Sequence, residues 1–200
     1  MDVLPNPATR VPLIALPNDP ASSYINANFV RSYDGTPNRF ICTQGPLPDT
    51  VVAFWRMVLE HGVDCIVMAT GLEEKGEKKC EAYFPRTPST PPLTFGGLAV
   101  ACLAHTPGPA FDQALLEVSF AVRQRSGATS RRTHVVKHVW YHAWPDHGVP
   151  RTPTWCPTRR TSWTCCRWWR HTGLTAFPAA TWRCATACFF LVHFASAPPQ

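Results

Sequence analysis

Three groups of residues in this 200-residue chain have side chains and spacings suited to chemistry. The first is Trp144-Pro145-Asp146-His147-Gly148, a single carboxylic acid set between a proline and a glycine. By itself the string is a turn, since proline presets φ and glycine relaxes it. The second group is Cys165, Cys166, Cys184, Cys188 and His193, whose sulfur and imidazole atoms are zinc-ligand types. Its adjacent cysteines and the lack of a Cys-x2-Cys pair do not fit metal spacing, so neither metal nor cofactor is expected. The third is a set of five arginines interleaved with tryptophans after residue 153. Guanidinium and indole suit phosphates and stacked bases. That stretch is lysine-free and resembles no nucleic-acid module, so no nucleic-acid partner is expected.

These groups sit on a chain divided by composition. Residues 1–153 hold 14 Lys and Arg against 13 Asp and Glu, whereas residues 154–200 hold five Arg and no Lys, Asp or Glu. The tail therefore supplies nearly all of the formal net charge of +6, and also five of the eight tryptophans and five of the nine cysteines. Nine is an odd number of cysteines, and Met1 to Arg10 has two prolines and an early acid instead of a basic stretch with an apolar core. Both features argue against secretion and a disulfide framework. No run of about 18 apolar residues occurs, so no membrane span is expected.

The elements that must position the first group are legible in outline. Asp49 to His61 reads as a helix, with Asp49 as its cap, Val52, Trp55, Met57, Val58 and Leu59 as its apolar face, and Gly62 as its terminator. Val63 to Ala69 is a continuous apolar run of the buried-strand kind. Glu73 to Lys79 reads as a charged hairpin around Gly76. Leu115 to Val122 and His134 to Tyr141 alternate as half-buried strands do, with a polar turn over Arg123 to Arg132. The stretch from Val11 to Phe29 reads as loop followed by a short strand. Strands mixed with helices predict one α/β (α+β) domain.

Several strings, in order and correctly spaced, resemble the receptor and non-receptor protein-tyrosine phosphatases. They are Asp2-Val3-Leu4-Pro5 with Thr9-Arg10-Val11, Tyr24-Ile25-Asn26-Ala27-Asn28, and Thr43-Gln44-Gly45-Pro46-Leu47-Pro48 with Phe54-Trp55-Arg56-Met57-Val58. Ile66-Val67-Met68, Lys79-Cys80, Tyr83-Phe84-Pro85 and Trp144-Pro145-Asp146-His147-Gly148-Val149-Pro150 follow. The resemblance covers residues 2–153 and implies a central mixed, twisted sheet flanked by helices. It implies proteins or peptides carrying phosphotyrosine as partners, and a cytoplasmic location or the cytoplasmic part of a larger protein. In that family a cysteine thiolate in a His-Cys-x5-Arg loop attacks phosphorus. The arginine and the loop's amides hold the phosphate, and an aspartic acid on a Trp-Pro-Asp loop protonates the leaving tyrosyl oxygen. Carried over, Asp146 matches the general acid, Trp144 the loop's aromatic anchor, and Pro145 and Gly148 its hinge. Asp2 matches the aspartate that accepts backbone N–H bonds from the substrate. Tyr24, Asn26, Thr43, Gln44, Trp55 and Tyr83 read as scaffold.

The His-Cys-x5-Arg loop does not follow the Trp-Pro-Asp string. Cys80 and Arg86 have the spacing, but the bulky, acidic, proline-containing Glu-Ala-Tyr-Phe-Pro between them cannot wrap its amides around a phosphate. Val192-His193-Phe194-Ala195-Ser196-Ala197 echoes the loop only faintly, with Phe194 in place of cysteine and Gln200 in place of arginine. The strand at the centre of the family's sheet is accordingly expected to be missing, along with the closing helices.

The tail has its own explanation. Codons for Trp and Cys both begin TG, and these residues recur at 155, 156, 163, 165, 166, 168 and 169. Read from each codon's third base, every one becomes NTG, which encodes Leu, Met or Val. The implied apolar positions then fall at the spacing of an amphipathic helix, the element the family has at that point. This reading divides the chain into residues 1–153, the front of a phosphatase domain, and residues 154–200, translated out of frame. The 200 residues are then expected to be catalytically inactive, the rival expectation being a non-catalytic interaction module.

Overall fold

The computed structural model describes residues 4–32, 34–74, 76–123, 128–142 and 190–194. Helix α1 (Val51–Glu60) buries Val51, Phe54, Trp55, Met57 and Val58 along one face. Its N-cap is Thr50, not Asp49, and Thr50 makes no capping bond to the helix. The Thr50 Oγ1 accepts from the Leu47 amide at 2.8 Å, so the turn over residues 47–50 has taken the hydroxyl. Gly62, at φ +60°, turns the chain out of the helix as expected.

Eight strands form one sheet: β1 (Ala27–Val30), β2 (Phe40–Thr43), β3 (Val63–Met68), β6 (Leu93–Phe95), β7 (Leu98–Thr106), β8 (Asp112–Arg123), β9 (Thr129–Trp140) and β10 (Phe190–Phe194). The order across it is β1-β2-β10-β3-β9-β8-β7-β6. β3 and β9 run parallel, with Met68 opposite Trp140, and the other pairs are antiparallel. The charged hairpin is present as β4 (Glu73–Glu74) and β5 (Glu77–Lys78). The expected mixed sheet is therefore found, with wider strands than the patterns suggested. β8 and β9 extend into the supposed polar turn, as far as Arg123 and from Thr129.

β6 and β7 carry no strong strand signal. Leu98, Val100 and Cys102 are buried on one face of β7, but alanines fill the positions between them, and alanine is a poor strand former. Pairing with β8 and the Gly96-Gly97 turn decide the matter. Both glycines have positive φ, +52° and +86°, which a two-residue hairpin loop needs.

The tail contributes a strand where none was expected. Phe190–Phe194 pairs with β2 on one side and β3 on the other, so the slot at the sheet's centre is occupied. The physical reason is the need of two facing strand edges for partners, met by the apolar run Phe190-Leu191-Val192.

The helix is tied to both the N-terminal segment and the sheet. Arg56 donates to the Ser22 carbonyl at 3.0 Å and to the Ile14 carbonyl, while Glu60 accepts the Ile14 amide at 2.7 Å. On the inner side the Trp55 indole donates to the Tyr83 carbonyl at 3.0 Å. The Tyr83 hydroxyl and His138 Nε2 on β9 share a hydrogen bond of 2.6 Å. Phe54 and Phe84 pack on this pair, with ring centroids 5.0 Å from Tyr83 and 4.0 Å from His138, respectively. Burial pushes His138 down to about 3 and Tyr83 well above its ordinary value, so both are neutral.

Tyr83→Phe removes the partner of a buried imidazole nitrogen and is expected to lower unfolding free energy by about 1–3 kcal/mol, read from urea midpoints. His138 must also make stability depend on pH. Its folded pKa is depressed, so the unfolded chain binds the extra proton, and stability falls as pH drops from about 6.5 toward 3. The drop in urea midpoint between pH 7 and pH 4.5 is expected to be larger for the wild-type chain than for His138→Gln.

Candidate functional site

Asp146, Trp144, Pro145, Gly148 and Asp2 lie outside the described residues. What is described is the stem from which the Trp144-Pro145-Asp146 string departs. β9 reaches its end at Trp140, whose indole donates to the Thr70 carbonyl at 2.8 Å. One residue later the Tyr141 amide donates to the Met68 carbonyl at 2.7 Å, extending the β3–β9 ladder by one bond.

Beside this stem is an open cavity of about 140 Å³. Phe84, Ala114 and His138 line its floor, and Arg86, Thr87, His105, Asp112 and Trp140 complete it. The Arg86 guanidinium sits 4.7 Å from the Trp140 ring centroid, a cation–π contact. Asp112 lies between His105 Nε2 and His142 Nε2, 3.5 Å from each, and accepts the Gly108 amide at 3.1 Å. Desolvation pushes its carboxyl up, but the Gly108 amide and the two histidines outweigh that and hold it below the usual carboxylate value. Sequence reasoning passed over this cluster. His105, Asp112 and His142 come from three strand ends, and no local spacing announces that the sheet brings them together. No group of three or more His, Cys, Asp or Glu placed to hold a metal occurs among the described residues.

Four cysteines are described, three of them buried. Burial pushes Cys42 up to about 11 and Cys65 up to about 12, and raises Cys102 as well, so these remain thiols. Cys80 is 1% exposed and its thiol donates to the Glu81 carbonyl at 3.3 Å. The Cys80 amide and the two that follow it are already engaged. Cys80 N–H donates to Leu72, Glu81 N–H to Pro46, and Ala82 N–H to the Glu81 carboxylate. The Cys-x5-Arg spacing of Cys80 and Arg86 is thus incidental.

The residues expected to be scaffold are bound into it. Asn26 Nδ2 donates to Gln44 Oε1 and the Thr43 hydroxyl to the Asn26 carbonyl, both at 2.9 Å. Trp55 and Tyr83 are core residues, and Tyr24 lies under the Arg10 guanidinium at 5.7 Å. The faint echo around Phe194 falls at the opposite end of β3. β10 is antiparallel to β3, and Phe194 pairs with Val63. Val63 is five residues along β3 from Met68, roughly 17 Å away, whereas the Trp144-Pro145-Asp146 string departs from the Met68 and Trp140 end.

Known proteins resemble this chain in both sequence and fold. A protein-tyrosine phosphatase family model matches residues 1–160. Human tyrosine-protein phosphatase non-receptor type 7 is 37% identical over 150 residues, covering 75% of this chain and 38% of that protein. Rat receptor-type tyrosine-protein phosphatase V is 38% identical over 152 residues, covering 76% of this chain and 8% of that protein. The solved structure of PTPN18 in complex with HER2-pY1248 phosphopeptides superposes with a TM-score of 0.65 at 37% identity, covering 76% of this chain and 53% of that one. The chain thus spans well under half the length of these curated relatives. No helix among the described residues is long and apolar enough to cross a membrane. With a family model matching most of its length and relatives alike in both sequence and fold, the chain belongs to the protein-tyrosine phosphatase family.

Proposed function

We propose that residues 1–153 are the front portion of a domain that hydrolyses phosphotyrosine in proteins, and that the 200 residues alone do not turn over. In the complete reaction the thiolate of a His-Cys-x5-Arg loop takes the phosphoryl group from the tyrosyl oxygen. The carboxyl of Asp146 gives its proton to that oxygen, because phenolate leaves poorly without one. Water then hydrolyses the cysteinyl-phosphate. In this reading Trp144 anchors the acid's loop, Pro145 and Gly148 shape its hinge, and Asp2 accepts amides of the bound peptide. The solved complex of PTPN18 with phosphopeptides supports ligands of that class. The match to non-receptor and receptor-type relatives supports a cytoplasmic location, alone or as part of a larger protein.

The observation that carries the inactive reading is the fate of the cysteines. The one Cys-x5-Arg pair in the sequence is Cys80 and Arg86, whose sulfur is buried and whose neighbouring amides are bonded elsewhere. Without a thiolate there is no covalent step, and without a phosphate cradle Asp146 has nothing to protonate. The tail's Trp and Cys codons support a slip of reading frame near Thr154.

A second reading, a non-catalytic module that engages partners, is favoured by one feature. β10 bonds to strands on both sides at the sheet's centre, so the described sheet has no internal gap. A cooperative thermal melt of purified 1–200 supports this reading, and aggregation supports the broken frame.

Incubated with a phosphotyrosine peptide, the 200-residue chain is expected to release phosphate at background in a malachite-green assay, and clear turnover would overturn the inactive reading. The transcript sequenced across codons 145–165 is expected to differ by one or two bases or a spliced intron, restoring the helix in frame. In the protein translated from that transcript, Asp146→Ala is expected to lower kcat by roughly 10²- to 10⁴-fold and to flatten the limb of the pH–rate profile that reports the acid.

A further inference from the structure

The loop that leads into β6 repeats a four-residue pattern. Pro85-Arg86-Thr87-Pro88 and Pro88-Ser89-Thr90-Pro91 overlap at Pro88, and each sets a threonine between a proline two residues before it and a proline directly after it. A third such string, Pro150-Arg151-Thr152-Pro153, lies outside the described residues. A proline directly after an acceptor hydroxyl has a fixed φ and no N–H. It also biases the acceptor toward extended backbone. An enzyme that must bond to the amide after its acceptor rejects such a string, and one that reads the bare ring accepts it. That is the selection made by proline-directed protein kinases.

The structure separates the two threonines of this loop. Before Thr87 the chain is engaged: Pro85 is buried, and the Arg86 guanidinium lies over the Trp140 ring at 4.7 Å. A kinase cleft closing on Thr87 has to lift both away. Around Thr90 the neighbours are free of such ties. Pro88, Ser89, Pro91 and Pro92 are exposed, and Thr90 itself is half-buried. The Thr90 amide donates to the Thr87 carbonyl at 3.0 Å, closing a turn whose second position Pro88 presets. Straightening residues 88–92 breaks that bond and the contacts of the Thr87 hydroxyl with those of Ser89 and Thr90, at 2.9 and 3.0 Å. It costs no strand pairing, because β6 begins at Leu93. The other described Thr-Pro pairs lack the earlier proline: Thr36 follows Asp34-Gly35, and Thr106 is paired within β7 to Gln113 of β8.

The charges around the loop favour an added phosphate. From Ala82 to Phe111 the chain has no Asp or Glu. Arg86 makes no ion pair among the described residues. A phosphate on Thr90, with a charge of about −1.5 to −2 at pH 7, finds in this loop hydroxyl donors and a guanidinium but no carboxylate to repel it.

We propose that Thr90 is a phosphorylation site for a proline-directed protein kinase. In the transfer Thr90 Oγ1 forms a bond to the γ-phosphorus of ATP. The bond from that phosphorus to the β–γ bridging oxygen breaks, and ADP leaves with the electron pair. The hydroxyl proton passes to the kinase's catalytic carboxylate. The site is independent of whether the chain itself turns over phosphotyrosine.

The full 200-residue chain is incubated with magnesium, ATP and a panel of proline-directed kinases, beside a synthetic peptide of residues 84–94. Tandem mass spectrometry then maps the phosphorylated positions. In the peptide, where no fold distinguishes them, Thr87 and Thr90 are both expected to be labelled. In the chain Thr90 is expected to take most of the label and Thr87 little. Thr90→Ala is expected to remove most of the label from the chain, and Thr90→Ser to keep it. A chain that stays unlabelled, or is labelled mainly at Thr36, Thr106 or Thr152, would overturn the site. So would a chain labelled at Thr87 as readily as the peptide, or a Thr90→Ala chain labelled as strongly as the wild type.

Discussion

The hydrogen bond between the Tyr83 hydroxyl and His138 Nε2 joins two groups with no access to water, and the rest of the described structure is arranged around it. Two neutral polar groups in a dry core satisfy each other only if their carriers are held in place. The Trp55 indole fixes Tyr83 through its carbonyl, which fixes helix α1 against the loop. His138 lies on β9, the strand that pairs parallel with β3 and carries the chain toward Trp144-Pro145-Asp146. Helix, loop and sheet are thereby locked to one another by directional bonds within a packed aromatic cluster.

That lock has a consequence for the cavity at the end of β9. Phe84 and His138 form its floor because they are the far side of the same cluster. The rigid floor supports Trp140, and Trp140 supports Arg86 on one face and His142 at its edge. The bonds from Trp140 to Thr70 and from Tyr141 to Met68 both go to the end of β3 and the residues just past it. Asp112 adds two contacts there, 3.5 Å from His105 and 3.5 Å from His142.

The tail shows how composition and topology answer different questions. Its clustered tryptophans and cysteines, lack of acids and absence of lysine set it apart from residues 1–153. Five of its residues nevertheless fill the slot between β2 and β3, because two strand edges facing each other favour any apolar segment able to bond to both. Phe194 falls beside Val63, at the other end of β3 from Met68, and carries no thiol.

The sequence by itself determined the family, the helix and its terminating glycine, the charged hairpin, and the strand segments within β3, β8 and β9. Each of these rests on residue identity or on short periodicity: an ordered series of motifs, apolar residues on one helical face, alternation in strands. The tertiary structure decided what depends on distant partners. The alanine-rich β7 is a strand because β8 lies beside it, and Thr50 is spent on Leu47 and so does not cap α1. Cys80 is sealed in the core despite a suggestive spacing, and β10 enters the sheet's centre from a stretch that composition sets apart. His105, Asp112 and His142 meet only because three strand ends converge, and no spacing along a chain encodes a convergence that hydrogen-bonded strands create in space.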